Sequence, residues 1–93
     1  MNDEKIKALK KQHGKIHCYK VKDKACYLRE PDLDDIDYAQ SVSKSNIGFK
    51  KALVNCIWIE GDETLRTETK YALGLFGLVS DLIEVEVGDW SKL

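Results

Sequence analysis

The chain has 93 residues, of which 43% are hydrophobic and 33% are charged, and its formal net charge is −1. This length predicts one small domain with the composition of an ordinary globular protein. The absence of an apolar run of about 18 residues excludes a membrane-spanning helix, and the near-zero charge argues against a nucleic-acid-binding protein.

The charge is nevertheless distributed unevenly along the chain. Residues 1–29 carry nine Lys and Arg against three Asp and Glu, a net charge of +6, whereas residues 30–93 carry six against thirteen, a net charge of −7. One interpretation is a basic surface for an acidic partner. The other, which we favour, is that two oppositely charged parts of one fold face each other.

The cellular compartment is predicted from the amino-terminal residues and the cysteines. The first residues lack the apolar core of a signal peptide. Cys18, Cys26 and Cys56 are an odd number of cysteines at scattered spacings, which is typical of reduced thiols. We therefore expect a cytoplasmic protein without a disulfide framework.

The first predicted elements are a short helix and a β-hairpin. Residues 1–14 predict the helix, with a narrow apolar stripe and Gly14 as its stop. Residues 15–30 alternate between apolar and polar side chains, which predicts two antiparallel strands joined by a turn at Asp23–Lys24. Arg29 falls on the polar face of this hairpin, where we expect it to be solvated. The expected cross-strand pairs are Val21 with Cys26 and Tyr19 with Leu28.

Residues 32–84 are predicted to be mainly helical. Pro31 and the aspartates after it are typical of a helix start, because acids suit the positive end of the helix dipole. A second helix is predicted to begin at Ser45 or Asn46 and to end at Ile59 or Glu60, with Gly61 as its stop.

A last helix is predicted from about Thr67 to Ile83. Residues 85–93 form a tail in which Val85 and Val87 alternate with acids, so this tail either adds a third strand to the hairpin or stays outside regular structure. The predicted fold class is α+β, with a two- or three-stranded antiparallel sheet packed on about three helices.

Three groups of residues could in principle carry chemistry, and for each we favour a structural role. The aspartates of residues 32–37 lack the central glycine of a calcium loop and suit a helix start. His13 and His17 have a zinc-like spacing, but Gly14 separates them into different elements. The carboxylates of residues 60–63 suit the corner between two helices better than an acid and base pair. We therefore predict neither catalytic residues nor a metal or cofactor site.

Aromatic residues beside a polar rim are typical of protein interfaces. Trp58 lies beside the acidic corner, and core packing and partner binding are equally good explanations for it. The candidate protein-binding residues are Trp58, Glu60, Asp62, Glu63 and Phe76.

The order of these elements resembles that of small phage- and prophage-encoded tail assembly chaperones. The similarity spans about residues 15–84 and rests on short packing and turn motifs. These motifs are Tyr27-Leu28-Arg29-Glu30-Pro31, Asn55-Cys56-Ile57-Trp58 and Gly61-Asp62-Glu63. The resemblance implies a non-enzymatic α+β protein in the cytoplasm of a bacterial host, which binds a tape-measure-type protein and keeps it soluble during tail assembly.

Two other functions remain as alternatives. The chain could be a self-associating structural domain, for example a homodimer, without a chaperone role. An enzyme or metal protein is the third hypothesis, and a deep pocket with converging histidines or carboxylates would favour it. An exposed apolar patch on the helices would favour the first two.

Overall fold

A computed structural model describes residues 3–83 and 85–93 of the chain. Its helices and a three-stranded antiparallel sheet confirm the predicted α+β fold. The elements in chain order are α1 (Asp3–His13), β1 (Ile16–Val21), β2 (Lys24–Arg29), α2 (Leu33–Val42), α3 (Asn46–Ile57), β3 (Trp58–Gly61), α4 (Thr64–Thr67), α5 (Thr69–Leu78) and a 3-10 helix (Val79–Leu82). None of the helices in the described part of the chain is long and apolar enough to cross a membrane.

The predicted hairpin is present, but its register differs by two residues. Tyr19 pairs with Cys26, and Val21 pairs with Lys24. The turn therefore lies at residues 22–23, where Lys22 has a φ of 55°, as two-residue hairpin turns commonly require. Because side chains alternate with a period of two, this shift leaves the predicted apolar residues on the same face of the sheet.

The third strand is formed by β3. Of the two alternatives for residues 85–93, the third strand is therefore wrong, and these residues lie outside regular structure. The sheet order is β1-β2-β3, and β3 runs antiparallel to β2. The prediction of a helix up to Ile59 or Glu60 is therefore also wrong, because α3 ends at Ile57. Trp and Ile favour strands, and here Trp58 pairs with Leu28 of β2.

The last predicted helix, from about Thr67 to Ile83, corresponds to α5 and the 3-10 helix. Glu68 has extended backbone angles, φ −85° and ψ 128°, and separates α5 from the short α4 before it. The α-helix ends at Leu78, and the 3-10 helix replaces the last predicted turn. The starts of the two preceding helices agree with the prediction, since Ser45 caps α3 and the side chain of Asp32 caps α2.

The core lies between the sheet and the helices α3, α4 and α5. Leu53 and Ile57 of α3, Leu65 of α4 and Leu75 of α5 are almost completely buried, as is Cys26 of β2. By contrast, none of residues 3–13 in α1 is fully buried. The packing that positions the surfaces described below therefore comes from the hairpin, β3 and the later helices.

Candidate protein-binding surface

The acidic corner after α3 is neutralised by the fold itself. Three of its carboxylates each have a cationic partner within the chain. The pairs are Glu60 with Lys5, Asp62 with Lys24 at 3.2 Å, and Glu63 with Arg66 at 2.7 Å. The structure thus brings the predicted site residues Glu60, Asp62 and Glu63 together at one corner, but with their charges already compensated.

Asp62 has a structural role in this corner. Its carboxylate accepts hydrogen bonds from the Thr64 backbone N–H at 3.0 Å and from the Thr64 hydroxyl at 2.6 Å, which organises the start of α4. These hydrogen bonds, followed by the one from Lys24, hold the pKa of Asp62 below its ordinary value. A carboxylate held in the charged state in this way is a poor general acid.

These ion pairs explain the uneven charge distribution along the sequence. Lys5, Lys24 and Arg29 belong to the basic first part, and their partners Glu60, Asp62 and Asp35 belong to the acidic second part. The two oppositely charged parts therefore face each other inside one fold, which is the interpretation that we favoured over a basic surface for an acidic partner.

Trp58 is half-buried and partly covered by the domain itself. It packs against the core cluster, and the guanidinium carbon of Arg66 lies 4.3 Å from the centroid of its ring. Arg66 also donates a hydrogen bond to the Asn55 side chain at 3.3 Å. Cation–π stacking of this kind fixes the indole ring, so Trp58 is largely a packing residue that stays partly exposed.

Phe76, the remaining predicted binding residue, lies in the core and is only 6% exposed. Because α5 packs this side chain against the core, Phe76 has little surface left for direct contact with a partner. Phe76 nevertheless forms part of the wall of a surface depression of about 250 Å³, together with the exposed residues Ile47 and Leu73.

A second depression lies on the other side of α3, and Lys51 borders both of them. It measures about 270 Å³ and is lined by Tyr38 and Val42 of α2. The side chains of Tyr38, Val42, Ile47 and Leu73 are 54%, 50%, 58% and 52% exposed. We call the surface formed by these four residues and Lys51 the helical face.

Sequence reasoning missed the helical face. The sequence pattern that could have predicted it is a second apolar stripe on α2. Tyr38 and Val42 are four residues apart and are therefore neighbours on the helix surface. This stripe is separate from the one that buries Ala39. Leu73 lies within the helix predicted from about Thr67 to Ile83, and the sequence does not indicate which side of this helix faces solvent.

The residues considered for metal binding do not converge. Among residues 3–83 and 85–93, no group of three or more His, Cys, Asp or Glu lies where it could hold a metal ion. Instead, Nε2 of His17 lies 3.1 Å from a carboxylate oxygen of Glu30. Asp32 and Asp35 form a capping box at the start of α2.

The three cysteines are free thiols in different environments. Cys18 is exposed, whereas Cys26 is buried. Burial raises the pKa of the Cys26 thiol to about 11, so Cys26 carries little of the reactive thiolate near neutral pH.

The function of the helical face is inferred from its own residues, since no similar protein indicates one. Comparison of the chain with protein families, with curated proteins and with solved structures finds no match.

Proposed function

We propose that this protein is a non-enzymatic binding domain whose helical face holds an apolar helical segment of a partner protein. The observation that supports this proposal is the grouping of four large, at least half-exposed apolar side chains around two adjacent depressions. Exposed apolar patches with a polar rim are typical of protein-interaction surfaces.

The spacing of the helical face suits a helix as the bound element. The two depressions follow the grooves on either side of α3, with Tyr38 and Val42 beside one and Ile47 and Leu73 beside the other. An amphipathic helix binds such a groove through apolar anchors that are three, four and seven residues apart. We therefore expect the partner segment to be an amphipathic helix.

The charge of the surface adds a second feature to the expected partner. Lys51 lies between the two depressions, whereas Arg66, which borders one of them, already pairs with Glu63. No carboxylate among the described residues lines either depression. Charge complementarity therefore favours a partner helix with acidic residues beside its apolar stripe.

The resemblance to tail assembly chaperones suggests the biological setting. The resemblance implies a long tape-measure-type partner that is kept soluble during tail assembly. Under this proposal, the helical face covers an apolar segment of that partner, and the packed corner around Trp58 holds α3 and α4 in place. The role is therefore one of keeping a partner soluble, without chemistry on it.

Coexpression with a tape-measure-type helical protein tests the proposal. We expect the soluble fraction of the partner to rise with the wild-type chain. Replacing Ile47 or Leu73 with Asp should weaken binding about tenfold or more, because each change removes an apolar side chain that the bound partner would bury. The matched control is Leu33→Asp, since Leu33 is 82% exposed and does not line either depression.

Two results would contradict the proposal. Equal partner solubility with and without the chain would remove the chaperone role. Loss of a homodimer on replacing Ile47 or Leu73, measured by sedimentation, would instead assign the helical face to self-association.

A further inference from the structure

A depression beside the amino-terminal half of α2 has an apolar lining. It measures about 450 Å³, which exceeds the volume of either depression of the helical face. The apolar residues that line it are Pro31, Leu33, Ile36, Leu82, Ile83 and Val85. Ile36, Leu82 and Ile83 also pack against the core, whereas Leu33 and Val85 are 82% and 73% exposed. The depression therefore combines apolar residues held by the core with apolar residues that a partner can reach.

The polar side chains that line this depression are all acidic. They are Glu30, Asp32 and Glu86, and no lysine or arginine among the described residues lines it. Asp37 is exposed and lies four residues after Leu33 in α2, so these two side chains are neighbours on the helix surface. We call the depression together with Asp37 the acidic groove. Its charge is opposite to that of the helical face, whose depressions no described carboxylate lines.

The carboxylates of the acidic groove differ from those of the acidic corner in their partners. Each carboxylate of the corner pairs with a lysine or arginine. In the groove, Glu30 faces His17, and none of Asp32, Asp37 and Glu86 forms an ion pair with a lysine or arginine among residues 3–83 and 85–93. The fold therefore neutralises the corner and leaves the groove negatively charged near neutral pH.

An apolar groove with uncompensated carboxylates selects one class of partner. Its charge repels the phosphates of nucleic acids and of anionic membranes. The rest of the tail does not supply the complementary charge, since residues 87–93 carry one acid, Asp89, and one base, Lys92. We propose that the acidic groove binds a segment of a partner protein in which lysines or arginines flank an apolar stripe. This surface is separate from the helical face, and its partner has the opposite charge.

Binding of a defined basic peptide tests this inference. The probe is a fluorescently labelled synthetic peptide in which leucines recur at three- and four-residue spacing among lysines. Fluorescence anisotropy measures its Kd for the full chain. We expect the wild type to bind it, and Asp37→Lys combined with Glu86→Lys to raise the Kd about tenfold or more, because two attractive charges become repulsive. Both positions are exposed, so the fold should tolerate these changes.

The matched control is Asp23→Lys combined with Glu68→Lys, which changes the net charge of the chain by the same amount. Asp23 and Glu68 are exposed and line neither the acidic groove nor the helical face. We expect this control to bind the peptide with nearly the wild-type Kd. An equal loss of binding in the two double variants would mean that the peptide responds only to the net charge, and it would overturn the inference.

A second variant tests the apolar part of the acidic groove. Val85→Ser keeps every charge and removes an apolar side chain that is 73% exposed in the free protein. We expect it to raise the Kd of the peptide about threefold or more, because the bound leucines lose an apolar contact. An unchanged Kd would show that the peptide is held by charge alone, outside the groove, and would contradict docking there.

Further outcomes separate this inference from the proposed function. The Ile47→Asp and Leu73→Asp chains should bind the basic peptide like the wild type, and a loss of binding there would move the peptide to the helical face. A wild-type chain that does not bind the peptide overturns the inference and leaves the proposed function intact. Self-association of the wild type that Asp37→Lys with Glu86→Lys abolishes, measured by sedimentation, would also overturn it, because the groove would then hold a second copy.

Discussion

Arg29 and Asp35 form a bidentate ion pair that connects the sheet to the helices. The two terminal nitrogens of Arg29 lie 2.6 and 2.9 Å from the two carboxylate oxygens of Asp35. One of these nitrogens also donates to the carbonyl oxygen of Cys56 at 3.0 Å, near the end of α3. The side chains of Arg29 and Asp35 are only 25% and 12% exposed, and this geometry contradicts the expectation of a solvated Arg29.

The pair fixes three elements at once. Asp35 lies in the first turn of α2, where its carboxylate also accepts the Asp32 backbone N–H at 3.0 Å. The Asp35 backbone N–H donates to the Asp32 side chain at 2.9 Å. Arg29 therefore holds the end of β2, the start of α2 and the end of α3 in one hydrogen-bonded network, in which Asp35 is satisfied from both sides.

We predict that Arg29→Met destabilises the protein by about 2–4 kcal/mol, because a largely buried carboxylate and a helix-end carbonyl lose their partner. Arg29→Lys should recover only part of this loss, since an ammonium cannot form the bidentate contact. Urea unfolding followed by circular dichroism measures the change. The control is Lys20→Met on the same face of the sheet, where Lys20 is exposed; an equal loss there would contradict the specific role of Arg29.

The same pair predicts a pH dependence of stability. The hydrogen bonds from Arg29 hold the pKa of Asp35 below its ordinary value. The stabilising contribution is therefore fully present above the unfolded-state pKa of about 3.9, and it is lost as the pH falls through the lower folded-state pKa. We expect Asp35→Asn to reduce the free energy of unfolding at pH 7.

The difference in unfolding free energy between the wild type and Asp35→Asn should shrink as the pH falls below about 4. The Asp35 carboxyl then becomes protonated, so the side chain at this position is neutral in both proteins. Urea titrations at a series of pH values measure it. A difference that stays constant down to the lowest pH would mean that the charge of Asp35 is not responsible. Asp62, whose pKa is also lowered, is unchanged in both chains and so does not affect the comparison.

The features that sequence reasoning predicted correctly depend on local signals. Ser45 accepts the Gly48 N–H as a helix cap does, and Asp32 starts α2 through a capping box. Both signals involve residues three apart along the chain. The predicted faces of the hairpin also persist in the structure, because alternation is a local property that survives a register shift of two.

The features that it missed depend on distant partners. Trp58 and Ile59 continue the apolar pattern of α3, and nothing near them in sequence shows that β2 offers an edge for pairing. Tyr27, which pairs with Glu60 across that edge, lies more than thirty residues earlier in the sequence. Similarly, two of the three cations that neutralise the acidic corner come from α1 and β2, so the charge of the corner in the fold could not be predicted from the corner alone.

Gly61 permits the contact between β3 and β2, and we predict that Gly61→Ala is destabilising by more than about 1 kcal/mol. Its φ is +148°, and a Cβ there would lie 2.4 Å from the Cα of Cys26. Neither atom can move without displacing the strands. Gly77→Ala is the matched control, because a Cβ at Gly77 meets nothing within 4 Å and alanine favours the helix by about 1 kcal/mol.

Thermal unfolding of the two variants measures this contrast. We expect a lower melting temperature for Gly61→Ala and an equal or higher one for Gly77→Ala. A Gly61→Ala protein as stable as the wild type would mean that β3 can separate from β2 at little cost, so that the corner after α3 is not held by the sheet.

The half-burial of Trp58 leads to a prediction that separates packing from partner binding. Trp58 packs against the core and under Arg66, so Trp58→Ala should lower the free energy of unfolding by about 2–4 kcal/mol. Trp90, which is completely exposed, should change it by no more than about 0.5 kcal/mol when replaced by Ala. Urea unfolding measures both. If Trp58→Ala kept wild-type stability but lost partner binding, Trp58 would be a contact residue, and the acidic corner would belong to the binding surface together with the helical face.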